Sequence, residues 1–250
     1  MLISCQNVSL GYEGHAVVRG VSFVVENADY LWIVGENGSG KTTLIKGILR
    51  LLNPFEGSIV FCDGLAKGRV GYLSQQSMPN KDFPARVYEV VLSGNLGNMG
   101  LRPFYSPKEK RLADEALEQL GIKPLAKKSY QELSGGQQRR VLLARALVSA
   151  RSDKTGTSEK NQTSRLLVLD EPAAGLDPLV TVEVYDLLKT LNQQNGITII
   201  MVSHDTQAAA LYANRILHIE NGQGFFSDAA EYLRSDKGKK FFGHSKGGKE

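Results

Sequence analysis

An α/β fold is predicted for this chain: a core of alternating strands and helices, an N-terminal antiparallel β-subdomain, and an inserted, mainly α-helical subdomain. Three observations predict it. Leu31 to Val34 and Leu166 to Leu169 are continuous apolar runs, the pattern of strands buried on both faces. Glycine-rich or acidic turns follow these runs and lead into segments of helical period. Between the first strands and the later alternation lies a stretch, about 76–133, whose apolar spacing is mainly helical.

In chain order, strands are expected at 2–8, 21–25, 31–34 and 58–61. A helix follows the glycine-rich turn, from Lys41 to about Leu52, with Ile45, Ile48, Leu49 and Leu52 on one face and Asn53-Pro54 as its stop. A strand-like run at 69–74 leads to Gln75, and an irregular segment extends from Met78 to Tyr105. The next helix starts cleanly, with Ser106 as cap, Pro107 at the first position and Glu109 closing a capping box. Leu112, Ala116, Leu117 and Leu120 form its apolar stripe. Another helix opens at Leu133-Ser134-Gly135-Gly136-Gln137. Strands follow at 166–170, 197–203 and 215–220, with a helix at about 179–195 making a right-handed crossover. The whole chain reads as a single domain: core at 1–75 and 151–227, helical subdomain and signature helix at 76–150, basic tail at 228–250. The polar stretch 152–164 holds no large apolar residue and is expected to be an exposed loop.

A chain of 250 residues buries a sizeable core, and 42% hydrophobic with 22% charged residues is ordinary for a soluble globular protein. The formal charge of +4 is mild and scattered, so no nucleic-acid partner is expected. Its densest basic stretch, 237–249, is expected to be a solvated, frayed terminus. Cys5 and Cys62 stand far apart in apolar, strand-like contexts, so buried free thiols of a reducing compartment are expected. No signal peptide and no apolar run of bilayer-crossing length is apparent.

The chemistry gathers at three places. Gly35-Glu36-Asn37-Gly38-Ser39-Gly40-Lys41-Thr42 has the G-x-x-x-x-G-K-[ST] spacing of a phosphate loop. Backbone N–H groups at a helix N-terminus suit the concentrated charge of ATP, and the glycines let the backbone wrap closely. Lys41 supplies a cation for the β- and γ-phosphates, and the Thr42 hydroxyl a ligand for Mg²⁺. Asp170 and Glu171 end an apolar strand, at the edge where ligands bind in open α/β sheets. Asp170 is expected to hold Mg²⁺ through water, and Glu171 to orient or deprotonate the attacking water. The pentapeptide Leu133–Gln137 is a glycine-rich helix start that exposes backbone N–H groups to an anion.

With the pentapeptide between the other two motifs, the chain resembles the ATP-binding subunit of an ABC transporter. The likeness continues through Gln138-Arg139-Arg140 and Ala144-Arg145-Ala146-Leu147 and covers most of the chain. It implies a P-loop NTPase core that binds and hydrolyses ATP with Mg²⁺, at Gly35, Asn37, Gly38, Ser39, Gly40, Lys41, Thr42 and Thr43. It also implies that Tyr12 stacks on adenine, that Gln75 senses Mg²⁺ and the attacking water, and that His204 contacts the γ-phosphate. Ser134, Gly135, Gly136 and Gln137 would contact the ATP held by a second copy, and Asp177 would face the opposite active site. The implied partners are therefore a second ATPase subunit, joined on ATP binding, integral membrane permease subunits and, indirectly, an extracytoplasmic solute-binding protein. The implied location is peripheral, on the cytoplasmic face of the membrane. His15, His218 and His244 match none of these roles. Phe83 to Gly94 resembles the corresponding stretch of zinc- and manganese-type importers, where the permease's coupling helix would rest in a groove nearby. Import of an iron chelate or another solute, or a non-transport ABC ATPase acting as a regulatory module, are the alternatives. A departure from the family is the insertion at 152–164, where few residues are usual.

Overall fold

The computed structural model describes residues 1–61, 65, 70–75, 84–150 and 165–244. Its strands are β1 (Ile3–Tyr12), β2 (His15–Val25), β3 (Tyr30–Val34), β4 (Glu56–Phe61), β5 (Val70–Leu73), β6 (Leu166–Asp170), β7 (Thr198–Val202), β8 (Arg215–Glu220) and β9 (Gln223–Asp228). Its helices are α1 (Lys41–Ile48), α2 (Val87–Leu92), α3 (Pro107–Gln119), α4 (Gly135–Ala150), α5 (Pro178–Asn195), α6 (Thr206–Tyr212), α7 (Ala229–Arg234) and α8 (Asp236–His244). The chain forms two compact units, 1–64 with 196–250, and 65–195.

In the first unit, β1 pairs antiparallel with β2 on one side and β4 on the other. Both β1 and β2 are longer than their apolar alternation predicts, because register shifts between Cys5 and Val8 and again between Val8 and Gly11 break the period of two. Glu13 and Gly14 both have positive φ, 51° and 80°, so a two-residue turn joins the strands tightly and sets Tyr12 at the hairpin's tip. The second sheet of this unit runs β7-β3-β8-β9, parallel except for β9. All five residues of β3 and of β7 are buried, as continuous apolar runs require.

Helix α1 stops at Ile48, short of the predicted Leu52. Arg50 takes a left-handed φ of 58°, its N–H reaches the Gly47 carbonyl and the Leu51 N–H reaches that of Lys46. This closing turn satisfies the last carbonyls before Asn53-Pro54 is reached. The predicted frayed tail is also corrected: α7 and α8 extend through His244, and Phe241 of α8 packs its ring 4.5 Å from that of His218. The last six residues, Cys62, Gln76, Phe83 and the 152–164 insertion lie outside the described residues.

In the second unit β5 and β6 are parallel neighbours, and α2, α3, α4 and α5 carry the rest. The predicted capping box forms: the Glu109 N–H donates to Ser106 Oγ at 3.3 Å, and the Ser106 N–H donates to the Glu109 carboxylate at 2.6 Å. Gly71 of β5 lets α4 approach, since a Cβ there would lie 2.1 Å from the Ala146 carbonyl oxygen. Cys5 is buried, and burial pushes its thiol up to about 12.

Candidate nucleotide site

Strand register sets where the site residues emerge. In the first unit Ile33 pairs with Val202 and Val34 with His218. The phosphate loop at 35–40 and His204 therefore leave the same edge of the parallel sheet. In the second unit Leu73 pairs with Leu169, so Gln75 and Asp170 share the corresponding edge of β5 and β6. These are the carboxyl ends of parallel strands, the predicted location.

The loop is built for an anion. Gly35, Gly38 and Gly40 have φ of 147°, 79° and 109°, and a Cβ on Gly35 would meet the Ile219 carbonyl oxygen at 2.2 Å. Gly40 opens α1 with no side-chain cap, which leaves the first amides of the helix facing outward. Among the described residues the buried Ser39 hydroxyl has no hydrogen-bond partner. An orphaned hydroxyl and uncapped amides at one helix start fit a phosphate group. Lys41 is buried and bends back over the loop, donating from Nζ to the carbonyls of Gly35 at 2.9 Å and Glu36 at 2.7 Å. Asn37 and Thr42 are exposed, and Thr43 is buried in the first turn. A cavity of about 830 Å³ opens beside the loop, walled by Asn37, Gly38, Ser39, Glu220, Lys237 and Phe241.

At the end of β7, His204 stands between two fixed neighbours. The Asp205 N–H donates to Ser203 Oγ at 3.1 Å, and the Asp205 carboxylate caps α6 by accepting from the Ala208 N–H at 2.9 Å. Burial, and then the charge of Lys41, hold the His204 imidazole below its ordinary pKa. Tyr12 is 45% exposed, with its hydroxyl accepting from Lys46 Nζ at 3.0 Å, so a ring face is presented to solvent near α1. The Lys46 hydrogen bond, opposed by burial, lowers the Tyr12 pKa.

In the second unit Asp170 is buried, Gln75 is exposed, and Glu171 takes a left-handed φ of 50°. Ser134 and Gln137 close the pentapeptide on itself. The Ser134 N–H donates to Gln137 Oε1 at 3.2 Å, and the Gln137 N–H to Ser134 Oγ at 3.4 Å. Ser134 and Gly135 are exposed. Asp177 caps α5, accepting from the Val180 N–H at 3.1 Å. Motif reading misses Arg139. It is 4% exposed and donates from Nε to the Pro172 carbonyl and from Nη2 to the Glu171 carbonyl.

A family model described as ABC transporter matches residues 18–153, more than half of the chain. The chain belongs to the ABC transporter family. It is an ATP-binding ABC ATPase. A second model, described as AAA domain, putative AbiEii toxin, Type IV TA system, matches only residues 126–210, a stretch without the phosphate loop. The ABC ATPase is 35% identical over 237 residues to the zinc uptake system ATP-binding protein ZurA of Listeria innocua, covering 92% of this chain and 87% of the relative. It is 34% identical over 215 residues to the manganese transport system ATP-binding protein MntB of Listeria monocytogenes, covering 85% and 84%. A solved structure described as an inward-facing conformation of a putative metal-chelate type ABC transporter matches with a TM-score of 0.81 and 26% identity, covering 97% of this chain and 89% of that one. These likenesses carry the predicted α/β cassette. Among the described residues no helix is long and apolar enough to cross a membrane.

Proposed function

We propose that this ABC ATPase powers import of a divalent metal ion, zinc or manganese, by hydrolysing ATP on the cytoplasmic face of a membrane, docked on permease subunits. The observation that carries the reading is the 35% identity, over 92% of the chain, to a zinc uptake ATPase. In this reading Lys41 and the amides of 38–43 hold the triphosphate, with Asn37 and Ser39 at its outer oxygens and Tyr12 against adenine. Thr42, Asp170 (through water) and Gln75 would hold Mg²⁺, which would supply neutralisation of phosphate charge. Glu171 accepts the proton of the attacking water, and a neutral His204 donates to the γ-phosphate; its lowered pKa favours that neutral form. Ser134 to Gln137 of one copy contact the ATP of the other, with Asp177 close to the shared boundary, so catalysis needs two copies. Opening and closing of that pair drives the permease. Leu96, Leu101 and Phe104 are 59%, 104% and 81% exposed, and large apolar side chains this open suit a docking face for the permease. An extracytoplasmic binding protein delivers the ion to it.

The test is co-expression with a multi-span metal permease, purification of the complex and uptake of radiolabelled zinc and manganese into proteoliposomes. Uptake that requires ATP and is lost in Lys41→Ala supports the reading. A chain recovered with ribosomes or DNA and no permease overturns it in favour of a non-transport ATPase. The structural likeness to a metal-chelate type transporter favours one second reading, import of a chelated metal. Uptake of the chelate but not of the free ion would select it.

A further inference from the structure

The helix opened by the pentapeptide does more than present amides. A Cβ on Gly136 would come within 2.6 Å of Val180 Cγ1, so the glycine lets α4 lie directly against the start of α5. Arg140 Nη2 then reaches the Glu183 carboxylate of α5 at 2.7 Å. One turn into α4, Arg139 turns inward and spans two consecutive carbonyls, those of Glu171 and Pro172. A planar guanidinium with several fixed donors makes such a two-point contact; a lysine ammonium reaches one carbonyl well and the other poorly. The backbone gripped there is unusual. Glu171 holds φ at 50°, a conformation that a long non-glycine side chain keeps only where its surroundings impose it. Burying a guanidinium at 4% exposure is costly unless its donors are satisfied, so the contact must be kept once the unit folds.

We propose that Arg139 is a positioning residue for ATP hydrolysis: it fixes the backbone from which the Glu171 carboxylate projects and ties it to the pentapeptide helix. The proposal rests on the reading of Glu171 as the base. In a pair of subunits the pentapeptide of one chain meets the nucleotide of the other. Displacement of the start of α4 by that nucleotide is carried through Arg139 to the chain's own Glu171.

The experiment compares Arg139→Lys and Arg139→Met in the full chain, measuring kcat, KM and equilibrium ATP affinity, each also in a Glu171→Asp background. For Arg139→Met kcat falls about 100-fold, the scale of an ångström of misplacement at a reacting centre. For Arg139→Lys, which keeps the charge and one contact, the fall is about 10-fold. ATP affinity, which belongs to the Lys41 loop, holds within about two-fold in Arg139→Lys. With Asp at 171 the reach of the carboxylate is already lost, so Arg139→Lys lowers kcat by less than about three-fold there. An equal loss in both backgrounds, or ATP affinity falling in step with kcat, means a purely structural role and overturns the proposal. So does parental kcat in a folded Arg139→Lys. Should Arg139→Met fail to fold, the lysine variant carries the decision alone. Glu171→Gln is the control for the underlying reading: if it keeps parental turnover, the base assignment fails, whatever Arg139 does.

Discussion

At the level of single residues, His218 shows how burial sets a protonation state. Its Nδ1 lies 2.7 Å from the Tyr232 hydroxyl, and the ring is packed by Tyr232 and Phe241. Burial, with a smaller push from Glu220, raises the Tyr232 pKa, so the hydroxyl stays protonated. The neutral imidazole meets it at Nδ1 as donor or acceptor according to its tautomer. Burial lowers the His218 pKa; Glu220 and Glu36 oppose this, and Lys237 and Lys41 add to it. Below about pH 6.5 the unfolded chain takes up a proton that the folded chain resists, so stability is full above that pH and declines as pH falls toward the folded value. The urea midpoint should therefore drop between pH 7.5 and 5.5, and drop less in His218→Gln. His204 shifts the same way but is present in both proteins, so it cancels from the comparison. Equal drops would clear His218 of the effect. The phosphate loop, Asp170 and His204 were legible as short patterns because their chemistry demands particular residues at fixed offsets. Arg139 was not: in the sequence it is part of the family likeness beside Arg140, with no role of its own, and only the packing of α4 sends one arginine inward and the other to Glu183.

At the level of elements, close approach decides what local pattern cannot. The joint between β5 and α4 depends on Gly71, where a Cβ would overlap backbone that cannot swing away. Gly71→Ala should cost about 3 kcal/mol, at the upper end of overpacking, read as a lowered urea midpoint. Gly97→Ala is the contrast: a Cβ there meets nothing within 4 Å, and stability should change by less than about 0.5 kcal/mol. Comparable losses in both variants would mean that contact with Ala146 is not the cause. The start of α3 was readable because a capping box is local chemistry. The end of α1 and the lengths of β1 and β2 were not, since a left-handed Arg50 and successive register shifts leave no mark in hydrophobic period. Helix α8 was hidden for another reason: its composition is that of a solvated tail, and its order comes from aromatic contacts made by Phe241 and Phe242 with His218 and Tyr232.

At the level of the whole molecule, the proposed contact of the exposed pentapeptide with a second copy's ATP predicts that activity belongs to a pair of chains. Glu171→Gln should bind ATP, lose turnover by about 100-fold or more, and accumulate as a dimer seen by light scattering only with ATP present. A variant that stays monomeric in saturating ATP, at the concentration where the parent turns over, would count against a shared site. One further property follows from the left-handed backbone at Glu171. Asparagine adopts that conformation more readily than glutamate, so Glu171→Asn should raise the melting temperature by about 2 °C, for a gain of about 0.5–1 kcal/mol, while hydrolysis stops. Endurance and work are then opposed at a single position: selection for survival on heating alone would tend to erase the carboxylate, and its persistence would report that the chain is still being asked to turn over ATP.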